Sequence, residues 1–303
     1  MSRYAVIDVG TNSVKFHIGE KGPDGAWRTI VDRAEVTRLG ERLGETGEIG
    51  REAMERTVAA IADMAAEARR DNVSAIAAVG TMGMRTARNS DSFIAEAERR
   101  SRVRIEVISG DEEGRLAYLA VKSGLGLADG TLVVFDTGGG STQFTFGHGS
   151  VIDERFSLNV GAVRYAEQFG LAGVVSAEQL RAALDAIARD LARLDAARSP
   201  DVLVGMGGAV TNIAAVQLGL AHYDADVVQG ARIERSEVER QIELYRGRSV
   251  EERRRVVGLQ SKRADVILAG ACIVTTVMSK LGQDSLLVSD HGLRHGLLVE
   301  RFG

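Results

Sequence analysis

The chain has 303 residues, of which 45% are apolar, enough for about two domains of roughly 150 residues with a core each; this excludes a disordered protein. Its 38 basic and 42 acidic residues leave a formal charge of −4, so neither nucleic acid nor an acidic membrane is expected as a partner, and any anion must be caught locally. The single cysteine, Cys272, excludes an intramolecular disulfide and a cysteine-based zinc site, and its apolar setting predicts a buried thiol in a reducing compartment. No apolar run approaches the roughly 18 residues that cross a bilayer, and Asp8 interrupts the one N-terminal stretch that could imitate a signal peptide, so the expected location is cytoplasmic.

In chain order, residues 4–8 and 14–19 flank a tight turn at 9–13, which predicts a β-hairpin. A third strand is expected over 27–39, after a Gly-Pro-Asp-Gly turn. Met54, Val58, Ile61, Met64, Ala65 and Ala68 recur at helical spacing and predict a helix over 52–70. A strand at 75–79, a helix from Ser90 or Asp91, a strand at 103–108 and a helix at 112–123 follow. After the glycine-rich stretch 124–130 the pattern restarts, with strands at 131–136, 143–146 and 151–158, a Gly-His-Gly-Ser turn before the last of them, then helices and a strand at 202–204. Each half sets an aspartate just before its first turn, in Asp8-Val-Gly-Thr-Asn-Ser13 and Asp136-Thr-Gly-Gly-Gly-Ser141. The expected fold is therefore a duplicated α/β domain, 1–124 and 125–303, with a cleft between the halves. The charge run 251–255 reads as a solvated helix face.

Turns of small residues can aim several N–H groups and hydroxyls at one point, which makes an anion site without net positive charge. Thr11, Asn12 and Ser13 in the first half, and Gly138, Gly139, Gly140, Ser141 and Thr142 in the second, are the candidate phosphate clamps, with Lys15 adding charge. Asp8 and Asp136 are candidate ligands for magnesium, which is commonly held by one or two carboxylates together with phosphate oxygens. A third glycine turn, at Gly207 and Gly208, follows a strand and opens a helix, which suits another phosphate or a nucleotide. Walker A and G-x-G-x-x-G loops are absent. H-E-x-x-H is missing and the five histidines are scattered singly, so no histidine-based zinc site is expected.

In Ile108-Ser-Gly-Asp-Glu-Glu-Gly-Arg115, Ser109 and Glu112 have capping-box spacing, which gives Glu112 a structural task and leaves Glu113 as a candidate general base. Arg85 and Arg88 follow a strand at the end where ligands gather in open α/β sheets.

These segments, with Gly80-Thr-Met-Gly-Met-Arg85, Gly205-Met-Gly-Gly208, Arg263-Ala-Asp-Val-Ile267 and Ser289-Asp-His-Gly-Leu-Arg294, together resemble the exopolyphosphatase / guanosine pentaphosphate phosphohydrolase family. That family lies within the actin-like, sugar-kinase and chaperone ATPase superfamily. The resemblance spans essentially the whole chain. It implies a duplicated ribonuclease-H-like fold and magnesium-dependent release of terminal phosphate from inorganic polyphosphate, with pppGpp as a second candidate substrate. It also implies that Glu113 is the catalytic glutamate and Arg85 the phosphate-binding arginine. Two departures stand out: Gln143 occupies the place of the family's glutamate after Gly-Gly-Gly-Ser-Thr, and the chain ends at Gly303, so the helical domains of longer members are not expected. A kinase or chaperone-like ATPase of the same superfamily and a non-catalytic alarmone sensor are the alternatives, and a homodimer is left open.

Overall fold

A computed structural model of the chain describes residues 1–23, 27–127, 130–149 and 151–303, and nothing of the Ser123 side chain. The expected Gly-Pro-Asp-Gly and Gly-His-Gly-Ser turns and the 124–130 stretch fall partly outside these residues. By its contacts the chain forms two compact units, Met1–Leu116 with Leu293–Gly303, and Ala117–Gly292.

The first unit is built on a sheet of β1 (Ser2–Val9), β2 (Ser13–Lys21), β3 (Trp27–Val36), β4 (Ala75–Gly80) and β5 (Ile105–Val107), in the order β3-β2-β1-β4-β5. β1, β2 and β3 form an antiparallel meander, and β4 and β5 add in parallel. β1 is apolar on both faces because helices cover both. Ala5, Ile7 and Val9 pack with Val58, Ile61 and Met64 of the Arg51–Arg70 helix, whereas Val6 packs with Leu293, Leu297 and Leu298 of the last helix, Leu293–Phe302. That burial ties the last helix to the first unit, whereas the sequence reading divided the chain at 124/125 and assigned its end to the second half.

The second unit repeats the wiring. β6 (Thr131–Thr137), β7 (Thr142–His148) and β8 (Val151–Leu158) form the meander, and β9 (Val202–Met206) lies parallel beside β6. β10 (Arg232–Glu234) and β11 (Ser285–Val288) complete the order β10-β11-β9-β6-β7-β8, in which β11 takes the place of β5 and β10 is an antiparallel addition. The fold is thus duplicated α/β of the ribonuclease-H-like, actin-like kind. β10 and β11 have too few residues to display an alternating pattern in the sequence.

Cys272 is fully buried in the Ile267–Lys280 helix, and burial pushes its thiol up to about 12. Among the described residues, no helix is long and apolar enough to cross a membrane.

The charge run departs from expectation. Ser249 caps the short Val250–Arg253 helix in a capping box with Glu252, but Arg253 is completely buried. Its guanidinium donates to four backbone carbonyls, those of Tyr245, Leu171, Ala264 and Gly173, at 2.8, 2.8, 3.3 and 2.5 Å. Burial lowers its pKa to about 10, so it stays a cation at neutral pH and organises the loops around it. Arg253→Ala would remove a donor from each of those carbonyls and open a cavity, so stability should fall by about 3 kcal/mol or more. Denaturant titration at pH 7 checks this; a loss under about 1 kcal/mol would show that solvent replaces the guanidinium.

Candidate active site

Asp8 stands near the end of β1, and the period of two puts it on the Val6 face, where it is 3% exposed. The turn after β1 is closed by Gly10 N–H donating to the Ser13 carbonyl at 3.0 Å, with Thr11, Asn12 and Ser13 all buried. The turn after β6 is closed the same way, by Gly138 N–H to the Ser141 carbonyl at 2.9 Å. In both turns the carbonyls are occupied from one side. Thr37 and Arg38 donate to Asn12 O and Gly40 to Thr11 O, while Ala162 donates to Gly138 O and Val163 to Gly139 O. Because peptide N–H and C=O point in opposite directions, fixing these carbonyls turns the amide hydrogens of the following residues the other way.

The strand registers match as well: Asp8 lies opposite Lys15 and Asp136 opposite Gln143. Lys15 and Gln143 therefore occupy equivalent places in the two units. Lys15 Nζ is 3.2 Å from Asp8 Oδ2, an ion pair at the strand end. Gln143, buried in its strand, donates through Nε2 to Ser141 Oγ at 2.6 Å and to Ser157 Oγ at 3.3 Å. Thr142 Oγ1 donates to Val160 O at 2.6 Å, so that hydroxyl braces the turn from below.

In the first unit, Glu113 lies in the first turn of the Gly110–Leu125 helix and is 8% exposed. Arg85, at the end of the Met82–Thr86 helix, brings Nη1 to 2.6 Å from Glu113 Oε2, while its hydrogen bond from that nitrogen runs to Ile108 O at 2.7 Å. The helix carrying Arg85 abuts the first turn: a Cβ placed on Gly83 would lie 3.4 Å from Thr11 Oγ1. Glu112 is engaged differently. Its N–H donates to Ser109 Oγ at 3.1 Å, and its carboxylate accepts from Arg115 Nε and Nη2 at 2.9 and 2.7 Å. Asp111 is exposed, so Glu113 alone of the three acids is buried. Arg88 turns to the surface, donating to Thr46 O at 2.9 Å and Glu48 Oε1 at 3.3 Å.

In the second unit, Gly207 opens the Gly207–Gln217 helix with φ +86°, and a Cβ there would come within 2.5 Å of both Asp136 Oδ1 and Thr137 O. Arg263 lies over Gly208, where a Cβ would meet Nη1 at 2.1 Å; burial lowers its pKa. Arg263 was visible in the sequence as part of the Arg263-Ala-Asp265 segment, but nothing local pointed its guanidinium at the third glycine turn.

Residues 18–303 match the Ppx/GppA phosphatase family. The chain belongs to that family. Among Ppx/GppA relatives, it is 28% identical to "Exopolyphosphatase 2" of Mycobacterium tuberculosis, covering 100% of this chain and 99% of that one. It is 31% identical to "Guanosine-5'-triphosphate,3'-diphosphate pyrophosphatase" of Vibrio vulnificus over 98% of this chain, and spans 59% of that protein's length. Another longer match is spanned over 46% of its length. The crystal structure of the Aquifex aeolicus Ppx/GppA family member aligns with a TM-score of 0.82 at 32% identity, covering 99% of this chain and 97% of that one.

In this Ppx/GppA chain the third glycine turn depends on the absence of a side chain. Gly207→Ala adds a strained left-handed backbone to a collision with the Thr137 carbonyl, so it should cost more than about 1 kcal/mol and displace Asp136. Melting temperature and the rate of phosphate release, measured together, check this; if neither changes, the turn has room that the geometry denies.

Proposed function

We propose that the chain hydrolyses the terminal phosphoanhydride bond of inorganic polyphosphate, with pppGpp as a second substrate, and that the first unit carries the hydrolytic pair. The observation that carries this reading is the buried Glu113 held against Arg85 beside the Thr11–Ser13 turn. The relatives named for exopolyphosphatase and for pyrophosphatase activity support the substrate class.

Arg85 has five N–H donors, so it can meet a phosphate while one edge still holds the Ile108 carbonyl. A phosphate seated at the first turn competes with Glu113 for that guanidinium and frees the carboxylate to take the proton of an attacking water. Backbone N–H groups of the turn, Lys15 and Arg85 then stabilise charge on the equatorial oxygens as the bond to the leaving phosphate breaks. Gly138, Gly139, Gly140, Ser141 and Thr142, with Gly207 and Gly208, form a second phosphate-binding group in the other unit.

Magnesium is the proposed cation. Asp8 and Asp136 are the strand-end carboxylates that would hold it in their respective units, and such a donor set fits a hard ion that completes its shell with water and phosphate oxygens. Bound, it supplies screening of phosphate charge. The Lys15 ammonium already beside Asp8, and the neutral Gln143 opposite Asp136, make the two carboxylates unequal ligands. A cytoplasmic location is proposed from the single buried cysteine.

Phosphate release from long polyphosphate, short polyphosphate, pppGpp and ATP should be highest in kcat/KM for polyphosphate; a preference for ATP would overturn the reading in favour of a kinase-like or ATPase activity. Glu113→Gln should lower turnover by about 10²–10⁴, while Glu112→Gln, which loses the Arg115 pair, should leave turnover within a few-fold of the parent. The reverse ranking in folded proteins would reassign the base. Gln143→Glu sets two carboxylates directly across the β6–β7 ladder, a repulsion that a cation relieves, so the magnesium concentration for half-maximal activity should drop. An unchanged midpoint would place residue 143 outside the metal's surroundings.

A further inference from the structure

Sequence spacing gave no reason to expect a histidine-based metal site, yet the fold gathers two of the five histidines. His17 on β2 lies directly across the ladder from Asp32 on β3, and His295 on the last helix comes down over both. The imidazole centroids are 4.6 Å apart. Asp32 Oδ2 is 3.4 Å from His17 Nδ1 and 3.1 Å from His295 Nε2, and one donor atom from each residue lies within 4.8 Å of the others. Arg294 also grips this carboxylate, through Nε to Oδ1 at 2.7 Å and Nη2 to Oδ2 at 3.0 Å.

From this geometry we infer that His17, Asp32 and His295 form a binding site for a borderline divalent transition ion of the zinc class. Four bonds of about 2.0–2.1 Å in a tetrahedron put neighbouring donors about 3.3 Å apart, which is close to the two measured nitrogen–oxygen separations. His17 is 2% exposed, and its Nδ1 has no hydrogen-bond partner of proper geometry among the described residues, although it is aimed at Asp32. A buried ring nitrogen without a partner is costly, and a metal ion satisfies it. Two imidazoles and one carboxylate suit zinc and its neighbours, whereas magnesium prefers an all-oxygen shell. Arg294 keeps Oδ1 and yields its longer contact on Oδ2, and in doing so orients the carboxylate from outside. The ion would join β2, β3 and the last helix. His17 is two residues from Lys15 on the same face of β2, so loading would also stiffen the strand that leaves the first phosphate turn.

The test uses the untagged full chain, stripped with a chelator and dialysed against micromolar zinc in millimolar magnesium, which keeps hard-oxygen sites filled. About one equivalent of zinc should remain per chain, and the melting temperature should rise by several degrees. Cobalt substituted for zinc should show the visible absorption of a four-coordinate site. His17→Gln and His295→Gln should each weaken zinc binding by about tenfold or more, while His148→Gln, which changes an exposed histidine beside Asp153, should bind as the parent does. Absence of bound zinc in the folded parent protein overturns the proposal without recourse to any variant. Retention of the full equivalent by folded His17→Gln and His295→Gln, or its loss in His148→Gln, overturns it equally.

Discussion

The central strand of each unit is covered on both faces and yet bears a carboxylate near its end, and much of the site follows from that conflict. A buried carboxylate must be paired, hydrogen-bonded or matched by a cation. At Asp8, which is buried, the partner is an ammonium from the adjacent strand; Asp136 is half-buried, and a glycine turn approaches it so closely that no Cβ fits. The turns that follow are closed by the same hydrogen bond and have their carbonyls fixed from outside. Each unit thus sets a strand-end carboxylate beside a turn whose amide hydrogens face away from its fixed carbonyls, an arrangement that suits an anion.

The duplication also shows where the units have diverged. Lys15 and Gln143 are equivalent in register but differ in charge, so the first strand end is neutralised internally while the second has an amide braced by Ser141 and Ser157. The Arg85–Glu113 pair belongs to the first unit, and the guanidinium over a glycine turn, Arg263, to the second. Repetition of the backbone therefore does not mean repetition of the side chains: the Arg85–Glu113 pair sits in one copy, and the other copy keeps the closed glycine turn.

What was legible in the sequence was local. Alternation announced the meanders, small residues marked the turns, and the spacing of Ser109 to Glu112 separated two adjacent glutamates that composition alone could not tell apart. In the fold the Ser109 hydroxyl and Arg115 engage Glu112, and Glu113 is buried. What stayed hidden depends on contacts between distant parts of the chain. Arg253 sits among charged neighbours that do face solvent, and its burial is made tolerable in part by the carbonyls of Leu171 and Gly173, far away in sequence. Likewise, no window of sequence contains the apolar contacts that bring the last helix to β1.

His17, Asp32 and His295 combine both cases. The His17–Asp32 pair is a register contact between neighbouring strands, and the register follows from the hairpin that the sequence announces. His295 arrives only because Leu293, Leu297 and Leu298 bury themselves against Val6 and Val79, which sets the helix over that part of the sheet. Arg294 and His295, adjacent on that helix, both reach the same carboxylate. A chain end that would otherwise fray is held by an apolar stripe and a polar cluster side by side. The polar cluster takes its precision from that apolar packing, because donors separated by 3.1 and 3.4 Å can be kept there only by a helix that has no freedom to slide.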